Sequence, residues 1–512
     1  MEVVNDKALL LKLKHPGKVT NVIPKSKDMG DNKVLVHWGL EEAQVLTNMG
    51  IKNVPSPIEA RYQWTGIHQP FDHQKVTAAF LTMNKRAFCF NEQGTGKTAS
   101  AIWASDYLLD IGRINRVLVI CPLSIMDSAW RADLFSFAMH RTVSIAHGAA
   151  EKRKKIIAEG SEYVIINYDG IGVVAKEIEE GGFDLIIIDE ATHYKNPATD
   201  RWKVLNKVVK TDTWMWLMTG TPAAQSPLDA YGLAKMVNPA SVPRFASGWR
   251  DSVMHKITQF KWVAKPEAVD TVHRALQPAI RFTKDECLDL PDMVYVDRIV
   301  ELTRQQKKYY KEIQNKARME ADGEEVSAVN AAVLMNKLLQ VSCGAVYSDS
   351  GETLEFDTKH RYKVLKEIID ESSKKVLVFV PFRHTIDMIV EKLEKDGITT
   401  AVIRGDVSAQ KRTERFKRFQ QEENPQVLVI QPQSAAHGVT LTAASEIVWW
   451  GPTSSLETYA QANARIHRAG QTHKCTVHHL KGSAVENRIY EMLNGRIDIH
   501  TQILDLYKDL IE

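Results

Sequence analysis

Cysteine is scarce in this 512-residue chain, with five (Cys89, Cys121, Cys287, Cys343 and Cys475) and no Cys-x-x-Cys pair among them. That scatter excludes a disulfide framework and a thiolate zinc site, and the five read as reduced core residues. Long apolar runs are missing too. The longest, such as the LIII that precedes Asp189, fall far short of the ~20 residues a membrane span needs. The first residues, MEVVNDKALLLKLKHPG, break their leucine run with lysines and carry no cleavage signal, so a soluble protein without a membrane partner is expected. Nor is there a charge excess. Lys and Arg number 66 against 63 Asp and Glu, a net +3, so attraction for nucleic acid must come from local patches. Low-complexity tracts and short-period repeats are absent.

What is present is a rhythm. Short apolar runs alternate with helical patterns at RAFCF (86–90), RVLVIC (116–121), YVIINY (163–168), DLIIID (184–189) and TWMWLM (213–218). Nearly continuous runs separated by helices are the mark of parallel strands covered on both faces. Val76, Ala79, Phe80 and Met83 are spaced along one helix face, as are Met126, Trp130, Leu134 and Phe137, the latter opened by a capping box at Ser124 and Asp127. The rhythm returns at KVLVFV (375–380), TTAVIRG (399–405), QVLVIQ (426–431), SEIVWWG (445–451) and CTVHHLKG (475–482). Two successive α/β domains are expected. The divisions are 1–61, an accessory region with one β element at VLVHW; 62–240, the first lobe; 241–358, a helical insertion and polar linker; 359–495, the second lobe; and 496–512, a C-terminal helix.

Four stretches carry chemistry. NEQGTGKT (91–98) follows a strand and precedes a helix, the setting of a phosphate loop. Gln93, Gly94, Thr95 and Gly96 would cradle phosphates, Lys97 would reach the β and γ groups, and Thr98 would hold Mg²⁺. Asn91 stands where a strict loop of this kind has its first glycine. DLIIIDEATHYKN (184–196) ends a strand in two carboxylates, at the sheet edge where open α/β folds bind ligands. Asp189 suits the Mg²⁺ shell and Glu190 the base that orients the attacking water. Thr219-Gly220-Thr221-Pro222 closes the next strand. Finally, in QANARIHRAGQ (461–471), Gln461, Arg465 and Arg468 would share one helix face, and two arginines could stabilise charge on a transferring phosphoryl group. A solvated basic helix end is the plainer alternative for that stretch.

In this order, GKT, DEAT, TGTP and QANARIHRAGQ resemble the superfamily-two helicase-like ATPases, and within them the Swi/Snf-type DNA translocases, in a compact phage, bacterial or annealing-helicase-like form. CPLSIMDSAW (121–130), LMTGTPAAQSPLDAYGLAKMVNP (217–239), IRFTKDECLDLP (280–291) and ARIHRAGQT (464–472) extend the resemblance over about residues 62–495. It implies two RecA-like lobes, ATP and Mg²⁺ as ligands, and movement on or remodelling of duplex DNA. PFDHQ (70–74) matches the upstream glutamine motif, implying that Gln74 reads adenine. GVTLTAAS (438–445) resembles the motif linking nucleotide and DNA sites, which places Gly438 by the nucleotide. By the same resemblance the loops at 122–124, 167–168, 382–383 and 439–442 would line the DNA path, through Ser124, Asn167, Tyr168, Phe382, Arg383 and Thr440. Lys411, Arg415 and Arg418 share a helix face that either tracks phosphates or is simply solvated. A strand-separating helicase and an ATP-gated DNA clamp remain alternatives. The departures are Thr192 in place of a histidine, Thr440 in place of an asparagine, and Ala435-Ala436 in place of paired glycines. His437, His478 and His479 lack partners at metal-ligand spacing and read as non-ligating, and Trp449 and Trp450 as packing residues. Such a motor would be cytoplasmic in a prokaryotic or phage-infected cell and nuclear otherwise.

Overall fold

The computed structural model describes residues 1–220, 226–257, 262–287, 293–321, 328–347, 353–434, 439–468 and 470–493. The chain divides into two compact units, Met1–Cys287 and Leu288–Glu512.

In the first unit every expected apolar run is a strand. Seven parallel strands lie in the order Ala279–Ile280, Arg86–Cys89, Trp214–Met218, Leu185–Asp189, Val117–Cys121, Tyr163–Asn167 and Val143–Ile145. Their period of two explains the unbroken hydrophobicity. Phe88, Leu118, Ile120, Val164, Ile186, Ile188 and Leu217 feed one core, while Ala87, Val117, Val119, Ile165, Leu185, Ile187 and Trp216 feed another on the opposite face. Ahead of this sheet, residues 1–55 build a module of their own: a four-stranded antiparallel sheet backed by the helix Leu40–Asn48, with a core of Leu9, Leu11, Val34, Val36 and Trp38. Of this module the sequence disclosed only the strand Lys33–His37.

The second unit carries six parallel strands, Met293–Ile299, Cys475–Lys481, Ala444–Trp449, Lys375–Phe379, Val427–Ile430 and Thr400–Ile403 in that order. Trp449 and Trp450 are both fully buried in its core. Among the described residues no helix is long and apolar enough to cross a membrane.

Two readings need correction. The helix Asp72–Met83 buries Ala79, with Phe80 and Met83 partly buried, as expected, but not Val76, which is exposed; His73, Gln74, Thr77, Ala78, Leu81 and Thr82 are buried as well. Small and polar side chains face inward there because the helix packs against the phosphate-loop region, which needs hydrogen-bond partners more than bulk. The stretch 241–358 is not one helical insertion. Helices Ala246–Val253 and Ala268–Ala275 pack into the first unit through Trp249, Val253 and Ala275, and Ala279–Ile280 extends its sheet. Met293–Ile299 is instead an edge strand of the second sheet. Its apolar run is only Met293–Val296, cut by Asp297 and Arg298, and Tyr295, Asp297 and Ile299 leave one face in water. The helices Arg304–Ala321 and Ala328–Cys343 follow, the latter burying Leu334, Leu338 and Val341 as expected. Part of the polar linker is a strand, Thr353–Glu355, paired with Ala345–Tyr347.

Candidate active site

Parallel strands deliver their C-terminal ends to one sheet edge, and the register here aligns Cys89, Met218 and Asp189 across three adjacent strands. The phosphate loop, the Thr219-Gly220 turn and the carboxylate pair therefore emerge side by side.

The loop is closed by backbone that only glycine tolerates well. Gly94 and Gly96 have φ of 89° and 82°, and a Cβ on Gly96 would strike the Gln74 amide. Gln74 sits behind the loop, accepting from the Phe71 N–H (3.0 Å) and donating to the Thr95 carbonyl (3.1 Å), to which His73 Nε2 also bonds at 2.8 Å. Thr95 donates its hydroxyl to the Glu92 carbonyl at 2.7 Å. Lys97 opens the helix Lys97–Asp110 and rests its ammonium on the carbonyls of Asn91 (2.8 Å) and Glu92 (3.2 Å). Thr98 is half-buried in the first helical turn.

Asn91, the departure from the strict loop, is a tie. Its amide nitrogen donates to the Thr77 hydroxyl (2.8 Å) and its oxygen accepts from the Phe282 N–H (3.0 Å). Glu92 continues the seam, pairing with Arg281 at 3.3 Å and accepting from the Lys284 N–H at 3.2 Å. Segment 280–284 is thereby laced onto the loop.

Asp189 is held rigidly. One carboxylate oxygen accepts from the Trp130 indole N–H (2.9 Å) and the other from the Glu190 N–H (3.0 Å). Burial pushes its pKa up, against the pull of that indole, of Lys97 and of the backbone N–H. Glu190 has φ of 49°, a left-handed conformation costing of order 1–3 kcal/mol in a non-glycine residue. The turn is braced by Tyr168, whose hydroxyl donates to the carbonyls of Asp189 (2.7 Å) and Glu190 (3.4 Å). Gln93 donates to the Glu190 carboxylate at 3.4 Å. Thr192 is buried in the following turn, and His193 lies against the Tyr168 ring, centroids 4.5 Å apart.

Trp130 was legible only as a core residue. It projects from a π-helical segment, Met126–Arg131, which lengthens the spacing between Met126, Trp130 and Leu134 to four residues while keeping all three buried. Tyr168, expected on the DNA path, is 7% exposed with its hydroxyl engaged, so it supports the carboxylate turn instead. Asn167 accepts from Arg153 at 2.9 Å. Arg153, in the basic run Lys152–Lys155, is buried and also holds the carbonyls of Ala146 and Gly148. Ser124 lies in the short 3-10 turn Leu123–Ile125.

In the second unit Gln461, Arg465 and Arg468 do not share a helix face. The helix Leu456–Asn463 stops first, its Ala464 cap followed by a turn in which the Arg465 carbonyl accepts from the Leu441 N–H at 2.9 Å. Gln461 is buried and bonds Glu457 at 3.2 Å. Arg465 is buried too, reaching the Val439 carbonyl at 3.4 Å, whereas Arg468 is partly exposed, with Nε on the Ala464 carbonyl at 2.9 Å. Gly438, Thr221 and Pro222 lie outside the described residues, as do Ala435 and Ala436. Arg383 and Thr440 are exposed and Phe382 half-buried. Lys411 and Arg415 line, with Arg404, an open cavity of about 450 Å³, while Arg418 pairs with Glu422 at 3.3 Å. Phe416 and Phe419 pack beneath that helix.

Residues 73–343, more than half the chain, match the SNF2-related domain. The chain belongs to the SNF2-related family. A helicase conserved C-terminal domain follows at residues 360–470. Relatives of this SNF2-related chain include an uncharacterized ATP-dependent helicase of Mycoplasma genitalium, 25% identical over 80% of this chain and 39% of its own length. The putative protein p41 of Acyrthosiphon pisum secondary endosymbiont phage 1 is 23% identical over 86% of this chain and 98% of its own. The chain thus spans about two fifths of the length of the Mycoplasma relative but nearly all of the phage protein. Among solved structures, the Sulfolobus solfataricus SWI2/SNF2 ATPase core in complex with dsDNA is similar at 23% identity and a TM-score of 0.42, covering 88% of this chain and 94% of that one.

Proposed function

We propose that this chain is an ATP-hydrolysing motor that moves along or remodels duplex DNA through its phosphate backbone. The observation that carries the reading is the meeting at one sheet edge of Lys97 with a carboxylate pair held by Trp130 and Tyr168. Lys97 leaves the loop carbonyls for the β and γ phosphates, and the amides of Gly94, Thr95 and Gly96 bind the phosphates between them. Gln74, Gln93 and Gly438 complete the nucleotide-binding set. Thr98 and Asp189 would hold Mg²⁺, which supplies charge neutralisation. The fit rests on a buried carboxylate of fixed orientation with Lys97 as its charged neighbour, and on a half-buried hydroxyl next to that lysine in the first helical turn. Glu190 takes the proton of the attacking water. Arg468 is the cation for the developing phosphoryl charge, with Arg465 and Gln461 shaping the turn that carries it.

DNA contacts fall to Arg383, Lys411, Arg415, Arg418, Phe382 and Thr440 in the second unit and to Ser124 and Asn167 in the first. Backbone binding implies steep salt dependence and little sequence preference.

Phosphate release measured with and without duplex DNA tests the reading. DNA should stimulate release, Lys97→Ala and Glu190→Gln should silence it, and Arg468→Ala should abolish hydrolysis while leaving ATP binding nearly intact. Nucleotide binding without hydrolysis would favour an ATP-gated clamp. A DNA affinity indifferent to salt would remove the motor reading. Triplex displacement without strand unwinding would distinguish a translocase from a strand-separating helicase.

A further inference from the structure

The second unit contains a polar series, buried at His479 and Tyr459 and open to solvent at Asp297, that the motor chemistry does not use. His479 lies on the strand Cys475–Lys481, where the register sets it beside Asp297 on one neighbouring strand and Trp449 on the other. Only 1% of it is exposed. Its Nδ1 is 3.1 Å from the Asp297 carboxylate and its Nε2 2.7 Å from the Tyr459 hydroxyl, and its ring stacks on Tyr490 at 4.3 Å between centroids. An ionised carboxylate can only accept, so Nδ1 carries the proton and Nε2 accepts from the tyrosine. Burial favours this neutral ring, lowering its pKa to about 4. The second Asp297 oxygen is taken by Lys481 at 2.6 Å.

Tyr459 stands on the helix Leu456–Asn463, which leads into Arg465 and Arg468. The same helix is tied again four residues on, where Asn463 accepts from the Trp449 indole N–H at 2.9 Å. Positions i and i+4 share a helix face, so the two ties fix both height and rotation against the sheet. We infer that His479 and Tyr459 are positioning residues: the series Asp297–His479–Tyr459 seats the helix that delivers the arginine turn. Stability alone does not call for this chemistry, because an apolar pair of the same shape would fill the space at little cost. A directional chain of bonds adds orientation, and a displacement of about 1 Å at a reacting centre costs up to ~10²-fold in rate.

This deepens the motor reading and rests on it. The test compares wild type, Tyr459→Phe, His479→Phe and the double variant in the full chain. Each single variant leaves a buried polar atom without its partner and should lower the melting temperature. The double variant should regain most of that stability. Its DNA-stimulated kcat should nevertheless stay about tenfold down, with KM for ATP within twofold of wild type, and amide exchange over residues 456–468 should be faster. A double variant that recovers stability and kcat together, or single variants with full kcat, would overturn the inference. Absence of DNA-stimulated hydrolysis in the wild type would instead overturn the motor reading, and the exchange measurement would still decide whether the series anchors the helix.

Discussion

Replacing Asn91 by glycine restores the residue that a strict phosphate loop has at that place, and it should nevertheless weaken the protein. The change removes the bond to the Thr77 hydroxyl (2.8 Å) and the bond from the Phe282 N–H (3.0 Å). Neither partner is stranded completely: Thr77 still donates to the His73 carbonyl at 2.7 Å, and Phe282 is only half-buried. Each loss is therefore worth about 1 kcal/mol rather than the larger penalty of an orphaned buried group. Glycine adds about 0.5–1 kcal/mol of backbone entropy, and Asn91 is not among the positive-φ residues, so no strain is relieved. The sum is about 2.5–3 kcal/mol, which for a unit of this size lowers the melting temperature by roughly 4–5 °C. Asn91→Asp keeps the acceptor for Phe282 but loses the donor to Thr77 and puts a carboxylate at a position only 1% exposed, so it should cost at least as much as glycine. Thermal unfolding followed by circular dichroism in the absence of nucleotide measures the series. A glycine variant as stable as wild type would refute the argument that Asn91 is a tie.

Three further outcomes follow from the same geometry. Tyr168→Phe removes the brace of the left-handed Glu190 turn, so ATPase turnover should fall five- to tenfold, on the order of 1 kcal/mol, while duplex affinity measured by anisotropy stays within twofold; a selective loss of DNA binding would return Tyr168 to the DNA path. Glu486→Gln strands Arg361, which is 3% exposed and hydrogen-bonded to that carboxylate at 2.9 Å. It should cost about 3–5 kcal/mol in urea unfolding, and the double replacement Arg361→Met with Glu486→Leu should recover only part of that, because it leaves the Trp450 carbonyl and the Gly482 N–H without their partners. Because His479 has a folded pKa of about 4 against 6.5 in the open chain, the unfolded state binds the proton first as pH falls. The stability it contributes is complete above about pH 6.5 and is lost toward pH 4, by at most roughly 3 kcal/mol. His479→Phe should flatten that limb, with Asp297, Lys481 and His478 as the remaining charged or titratable neighbours on the paired strands.

The two-sheet architecture could be read from the sequence because buried parallel strands leave continuous apolar runs, and every such run identified became a strand. The phosphate loop and the carboxylate turn were legible for the same local reason: each is a strand, a tight turn and a few residues of chemistry in sequence. What escaped depends on tertiary partners. Met293–Ile299, an edge strand, carries only the short apolar run Met293–Val296 before Asp297 and Arg298. Arg465 and Arg468 fit a helical spacing on paper, but the helix ends at Asn463 because the following turn bonds to the 439–444 segment. Arg153, inside a run of lysines, is buried only because the Ala146 and Gly148 carbonyls and the Asn167 side chain happen to converge on it.

The support of the site follows a different logic from its chemistry. Lys97, Asp189 and Glu190 come from two short motifs, whereas the groups that fix the carboxylates and the loop around Lys97 come from four other segments: Trp130 from a π-turn and Tyr168 from the end of another strand on the carboxylate turn, Gln74 from one helix on Thr95, and Phe282 from the last stretch of the first unit on Asn91. All reach the same sheet edge because parallel strands end on the same side. A glycine at position 91 would satisfy the loop's backbone but remove one of the ties to segment 280–284, leaving those through Phe90, Glu92 and Gly220. Asparagine there exchanges some freedom of the loop for a bond to the polypeptide that leads out of the first unit. Departures from a motif are thus best judged by the bonds the new side chain makes, and by that measure Asn91 reinforces the nucleotide loop.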